Sequence, residues 1–222
     1  MITLDGVSYA SGWRRRRALN DVSLSLPDAG VVALVGPEGG GKTTLMQILA
    51  GLTAPSSGTV SMDGRALPAR EALERAIMVS PSHYFGELFG ISLVKYAQLR
   101  PTWDQGIFER CLERFENVPL FLQWKAARRF SRAQIAILLG SIALASGAPV
   151  TLLDEIQVPL DEVAREGFYE EIRTLAAEAA AGRRPRRIFV LSSSVACDLD
   201  TVADEVIVVT DGEIAVREIV DN

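Results

Sequence analysis

The run Gly36-Pro37-Glu38-Gly39-Gly40-Gly41-Lys42-Thr43-Thr44 has the residue types and the spacing, GxxxxGK[ST], to bind phosphate. Small residues let successive backbone N–H groups curl around an anion, and a helix starting at the end of the loop points its positive end at it. In that spacing Lys42 reaches the β- and γ-phosphates of a nucleotide and the Thr43 hydroxyl ligates Mg²⁺. A glycine-rich turn without chemistry would show this spacing in roughly 1% of chains of this length. The phosphate reading is therefore preferred, and the loop stands where it must: after the apolar run Val31-Val32-Ala33-Leu34-Val35 and before the helical pattern Leu45 to Ala50.

A second group of candidates lies far downstream, where the apolar strand Val150-Thr151-Leu152-Leu153 ends in Asp154-Glu155. Downstream of a phosphate loop, this is the arrangement by which a P-loop NTPase binds Mg²⁺ and orients water. Asp154 then holds the metal, directly or through water, and Glu155 is the general base or positioner of the attacking water. Upstream, Tyr9 and Trp13 flank a turn ahead of Arg14-Arg15-Arg16-Arg17. Either aromatic can stack on a purine or pack at the rim of the core. The arginine run reads as a solvated hairpin tip, with phosphates, lipid headgroups or a partner as the other contacts open to it.

The elements that must position these residues alternate strand and helix, which argues an α/β core with a sheet. Short strands are expected at Ile2-Thr3-Leu4 and Val22 to Leu26, a further one at Thr59 to Met62 closed by Asp63-Gly64, then Ala76 to Val79. From Pro81 to Ser146 the pattern becomes helical. Asp104 to Glu116 places Ile107, Phe108, Cys111, Leu112 and Phe115 on one face, and a more uniformly apolar helix follows Ser131 as its N-cap. Asp161 caps a helix whose inward face is Phe168, Ile172, Leu175 and Ala179, and the run Gly182 to Arg187 reads as a solvated loop. Ile188 to Leu191 is a buried strand, and Asp211-Gly212 marks a closing hairpin.

At 222 residues the chain suits one compact unit with an inserted helical part. The net charge of −5 gives no general affinity for nucleic acid, no apolar stretch approaches the length that spans a bilayer, and no secretory signal pattern opens the chain, so a cytosolic protein is expected. Cys111 and Cys197 lack metal-ligand spacing and read as buried free thiols.

From about Leu4 to Val216 the order of these motifs resembles the nucleotide-binding subunit of an ATP-binding cassette (ABC) transporter. The resemblance is carried by Val35 to Leu45, by Leu49-Ala50-Gly51-Leu52, Pro55, Ser57-Gly58, Val60 and Asp63-Gly64, by the Walker B run Leu152-Leu153-Asp154-Glu155, and by Leu160-Asp161 at the end of the D-loop. It implies a P-loop NTPase core, a mostly parallel sheet with helices plus an N-terminal antiparallel β subdomain, with an inserted α-helical subdomain. The domain spans 1–222, with 1–80 and 148–222 forming the core and about 81–147 the helical part. The implied cofactors are ATP and Mg²⁺. The implied partners are a membrane-spanning transporter subunit and a second ABC ATPase subunit, in a homodimer or heterodimer, at the cytoplasmic face of a membrane. No nucleic acid is expected. The segment Pro101 to Phe115 looks more like export ATPases than importers.

The same resemblance assigns further positions, several of them altered. The signature LSGGQ is here Phe130-Ser131-Arg132-Ala133-Gln134, a loop that in the family binds the γ-phosphate of ATP held by the opposite subunit. The switch histidine is replaced by Ser194, whose shorter hydroxyl lowers γ-phosphate stabilisation by roughly 10² to 10³ in rate. The Q-loop glutamine is Ser82, or His83 in a slipped register, and Ile156 and Val158-Pro159 depart from the family's D-loop. These changes raise two alternatives to an efficient transport ATPase. One is an ATP-binding pseudo-ATPase that controls assembly of a membrane complex, and the other is a soluble ABC protein acting on nucleic acid or ribosomes, supported only by the two arginine runs.

Overall fold

A computed structural model of the chain describes residues 1–11, 16–82, 90–114, 129–195 and 199–220. Trp13, His83, Phe115 and Cys197 lie outside the described residues. Two sheets organise the molecule. The first is antiparallel, β2 (Arg16–Leu26), β1 (Ile2–Ser11), β4 (Ser57–Met62) and β5 (Arg65–Ala66) in that order. The second has the order β10 (Glu213–Ile219), β9 (Glu205–Thr210), β3 (Gly30–Val35), β8 (Ile188–Ser193), β7 (Val150–Asp154), β6 (Ala76–Val79). Its neighbours from β9 to β6 pair in parallel and β10 is antiparallel, so this is an α/β sheet covered on both faces.

β1 and β2 are far longer than the short strands expected, and the reason is a change of phase. Ile2 and Leu4 are buried on even positions, then Val7 continues the inward face on an odd one. The pairing register shifts between Leu4 and Val7, next to Gly6 (φ 59°) and opposite Asp21 (φ 52°), whose left-handed backbones mark a bulge. Each bulge moves the inward face by one residue, so the strict alternation stops while the strand continues.

Alternation along β3 divides the interior. Val32 and Leu34 face a core shared with β1, β2 and α1 (Lys42–Leu49), while Val31 and Ala33 face the core of the helices. That second core is built from α4 (Gln105–Arg114), α5 (Arg132–Ala145) and α6 (Glu162–Ala180), with α2 (Ala69–Arg75) preceding β6 and α3 (Gly90–Ala97) following it. α4 buries Ile107, Phe108, Cys111 and Leu112, its expected apolar stripe. Asp104 accepts from the Ile107 amide at 3.0 Å and pairs with Arg184 at 2.8 Å, fixing the entry to that helix. Asp161 accepts from the Ala164 amide at 2.8 Å and caps α6, which buries Phe168, Ile172, Leu175 and Ala179. Among the described residues no helix is long and apolar enough to cross a membrane.

The run Gly182 to Arg187 departs from the solvated loop expected. Arg183 is exposed, but Arg184 bridges Asp104 and Glu178, and Arg187 is buried. The Arg187 guanidinium donates to the last carbonyls of α5, Leu144 at 2.7 Å and Ala143 at 2.6 Å, and to Thr151 Oγ1 at 2.9 Å, and stacks over Phe189. A cation at the negative end of a helix with its donors satisfied is the tolerable form of a buried charge. Burial, and then the nearby cations Arg184 and Arg100, still hold its pKa down to about 9. From about pH 9 up to the ordinary arginine range the unfolded chain therefore binds more protons than the folded one. Stability from this group rises with pH across that window and is flat below it. Arg187→Ala, which leaves those carbonyls without the donors, is expected to cost about 2–4 kcal/mol. A thermal melt should show a midpoint lower by roughly 5–15 °C.

Burial, followed by the Glu171 carboxylate nearby, pushes the Cys111 thiol up to about 12. The thiolate is the reactive form. Peptide mapping after iodoacetamide treatment at pH 8 is expected to find Cys111 unmodified in the folded protein and modified once urea unfolds it.

Candidate functional site

The phosphate loop begins where β3 leaves the sheet. Gly36 has φ 148°, and a Cβ there would come within 2.0 Å of the Val209 carbonyl oxygen, so a side chain cannot be accommodated. Gly41 (φ 112°) is the N-cap of α1 and supplies no side chain of its own. The first amides of α1 have no carbonyl one turn earlier within the helix, so they point at whatever the loop encloses. Lys42 is 5% exposed and folds back over the loop, donating from Nζ to Gly36 O at 2.6 Å and Pro37 O at 3.0 Å. Those bonds hold the ammonium inside the loop, where phosphate oxygens can replace the carbonyls.

Asp154 ends β7 and is buried, and Thr43 Oγ1 donates to it at 3.3 Å (Oδ1) and 3.1 Å (Oδ2). The residues 111 apart in sequence thus meet as oxygen donors. Mg²⁺ prefers oxygen and uses one or two protein ligands beside substrate phosphates and water, so this donor set fits it. Glu155 follows with φ 51°, a left-handed conformation that costs a residue with a Cβ about 1–3 kcal/mol. Its amide donates to Ser192 Oγ at 3.0 Å. Backbone strain of this kind, held by a specific bond, gathers at functional sites, and Glu155 lies on the cavity wall.

These groups share one cavity of about 560 Å³. Glu38, Gly39, Gly41, Lys42, Thr43 and Thr44 line it from the loop, Asp154 and Glu155 from β7, and Ser82 from beyond β6. Gly36, Pro37 and Gly40 shape the loop, the Gly40 N–H donating to Pro37 O at 3.1 Å. Arg17, Ala18, Gln47 and Ser80 also line the cavity, and motif spacing did not single them out. The sequence alone groups Arg17 with its neighbours at a hairpin tip. Arg17 lies at the start of β2, where its Nη1 donates to Asn20 Oδ1 at 2.9 Å, and no signal within the arginine run marks it out in the sequence.

Other candidates stand apart. Tyr9 is half-buried against the antiparallel-sheet core and does not line the cavity. Ser194 is exposed beyond the end of β8 and is also outside the lining. Ser131 and Gln134 form a capping box at α5: Gln134 N donates to Ser131 Oγ at 3.1 Å, and Ser131 N to Gln134 Oε1 at 3.0 Å. Arg132 is exposed and Ala133 half-buried on the same turn, and none of Ser131 to Gln134 lines the chain's own cavity.

Residues 19–158 match the family model described as ABC transporter. The chain belongs to the ABC transporter family. Among ABC relatives, the sulfate/thiosulfate import ATP-binding protein CysA of Vibrio vulnificus is 31% identical over 212 residues, covering 89% of this chain and 58% of the relative. The human phospholipid-transporting ATPase ABCA3 is 26% identical over 93% of this chain and 12% of its own length. The chain thus spans little more than half of the CysA proteins it matches. Among solved structures, an ATP-binding subunit of an ABC transporter superposes with a TM-score of 0.82 at 19% identity, over 100% of this chain and 90% of the other. A dimeric post-hydrolysis state of the ATP-binding cassette MJ0796 bound to ADP and Pi gives 0.81 at 21% identity, covering both chains fully. At these identities the superpositions establish the ABC cassette fold.

Proposed function

We propose that this ABC cassette binds Mg²⁺·ATP in the loop cavity and hydrolyses it slowly, with Glu155 as base, to drive transport through a membrane-spanning subunit. The observation that carries the reading is the convergence of Lys42, the Thr43–Asp154 pair and the strained Glu155 on one cavity. On binding, Lys42 exchanges the Gly36 and Pro37 carbonyls for β- and γ-phosphate oxygens. Thr43 and Asp154 are the residues that hold Mg²⁺, which when bound neutralises charge on those phosphates. Glu155 accepts the proton of the attacking water, or orients it, on the γ-phosphate side.

The capping box at Ser131 to Gln134, with Arg132 exposed beside it, supports a role toward ATP held by a second cassette, in a homodimer or a heterodimer. Ser194, Ser82 and Ala133 support a low rate, for which pairing with a cassette carrying a complete signature compensates. Arg132, and the segment Pro101 to Arg114 with Trp103 packed on Phe108, support the export side. The peripheral position at the cytoplasmic face of a membrane is part of the same reading.

Calorimetric titration of the purified chain with ATP, in Mg²⁺ and in EDTA, is expected to show one site that needs the metal for full affinity. Absence of binding in both overturns the reading. The pseudo-ATPase reading rests on one observation, the exposed Ser194 hydroxyl that lies outside the cavity lining. It predicts binding without phosphate release.

A further inference from the structure

The strand pairing that places β8 beside β7 sets Ser192 opposite Asp154. Ser192 is fully buried, and its hydroxyl serves two residues at once. It donates to Asp154 Oδ1 at 2.7 Å and accepts the Glu155 amide at 3.0 Å. A hydroxyl has one proton, so donating it to Asp154 leaves a lone pair for the amide, and the two bonds fix its rotor. Thr43 lies closer to the other carboxylate oxygen, at 3.1 Å, so Ser192 pins one oxygen while the second faces the loop. Ser192 is itself held: its carbonyl accepts from Nε2 of the buried Gln157 side chain at 2.9 Å, which ties the turn after Glu155 to the same strand.

We propose that Ser192 is a positioning residue that couples the metal-holding carboxylate of Asp154 to the left-handed backbone of Glu155. The proposal rests on the reading of the cavity as a Mg²⁺·ATP site. Without the hydroxyl, Asp154 loses the bond that fixes its plane. The Glu155 amide loses its partner while its backbone still carries the strain of φ 51°. Metal use and turnover therefore weaken together, through geometry, while the phosphate loop is untouched.

The test compares Ser192→Ala with the isosteric pair Ser192→Thr and Ser192→Val, which differ only by the hydroxyl and carry the argument if the alanine variant does not fold. In a Glu155→Gln background, Mg²⁺ is titrated against ATP binding. Ala and Val are expected to need about tenfold more Mg²⁺ for half-saturation and Thr to stay near wild type. In the otherwise native chain, kcat is expected to fall about 10- to 30-fold for Ala and Val with the KM for ATP little changed, and Thr to restore most of it. A Mg²⁺ requirement and kcat within twofold of wild type in Ala or Val, or a Thr variant as impaired as Val, overturns the role of the hydroxyl and leaves the Mg²⁺·ATP site standing. A Glu155→Gln chain without any Ser192 change that binds ATP equally with and without Mg²⁺ overturns both.

Discussion

Glu155→Gln is expected to keep ATP bound at close to wild-type affinity and to slow phosphate release by at least about 10²-fold. The substitution preserves size and leaves the main-chain amide that Ser192 holds, so the left-handed backbone persists and only the proton acceptor is lost. Ligand affinity is spared because Lys42 bonds to the Gly36 and Pro37 carbonyls and Thr43 to Asp154, contacts in which the Glu155 side chain takes no part. Stopped-flow phosphate release alongside equilibrium ATP binding checks both halves. Equal loss of binding and turnover would mean that Glu155 acts on ground-state binding instead.

Lys42→Ala has the opposite signature: affinity itself should collapse. The ammonium is buried inside the loop and supplies donors to two carbonyls that phosphate oxygens replace. Charge-assisted bonds to two phosphates at about 1.5–3 kcal/mol each amount to roughly 10²- to 10⁴-fold in Kd. The same calorimetric titration reads it. A Kd within threefold of wild type would place the phosphates elsewhere in the cavity.

What the sequence made legible is what is local. The loop residues are contiguous, and the chemistry of GxxxxGK[ST] depends on backbone and on two adjacent side chains, so spacing alone locates Lys42 and Thr43. The strand ending in Asp154-Glu155 is legible for the same reason, and so are the caps Ser131 and Asp161, each three residues from the amide it binds. What remained hidden is set by pairing at long range. Ser192 meets Asp154 because β8 lies next to β7, and a separation of 38 residues leaves no periodic trace. Arg187 turns inward where Arg183 does not because the carbonyl end of α5 arrives beside it from 43 residues away, and a run of arginines looks alike in sequence. The length of β1 and β2 was hidden by bulges at Gly6 and Asp21, which break alternation without ending the strand. The same register shifts, continuing at Tyr9, accompany a cavity lined by Arg17 and Ala18 and not by Tyr9.

The most direct test of the account is phosphate release from ATP by the purified wild-type chain in Mg²⁺, measured beside Glu155→Gln under the same saturating conditions. Slow release above background that disappears in the mutant, with ATP bound by both, is the predicted result. Bound ATP with release at background in both would contradict hydrolysis by Glu155 and leave a cassette that uses nucleotide for assembly alone.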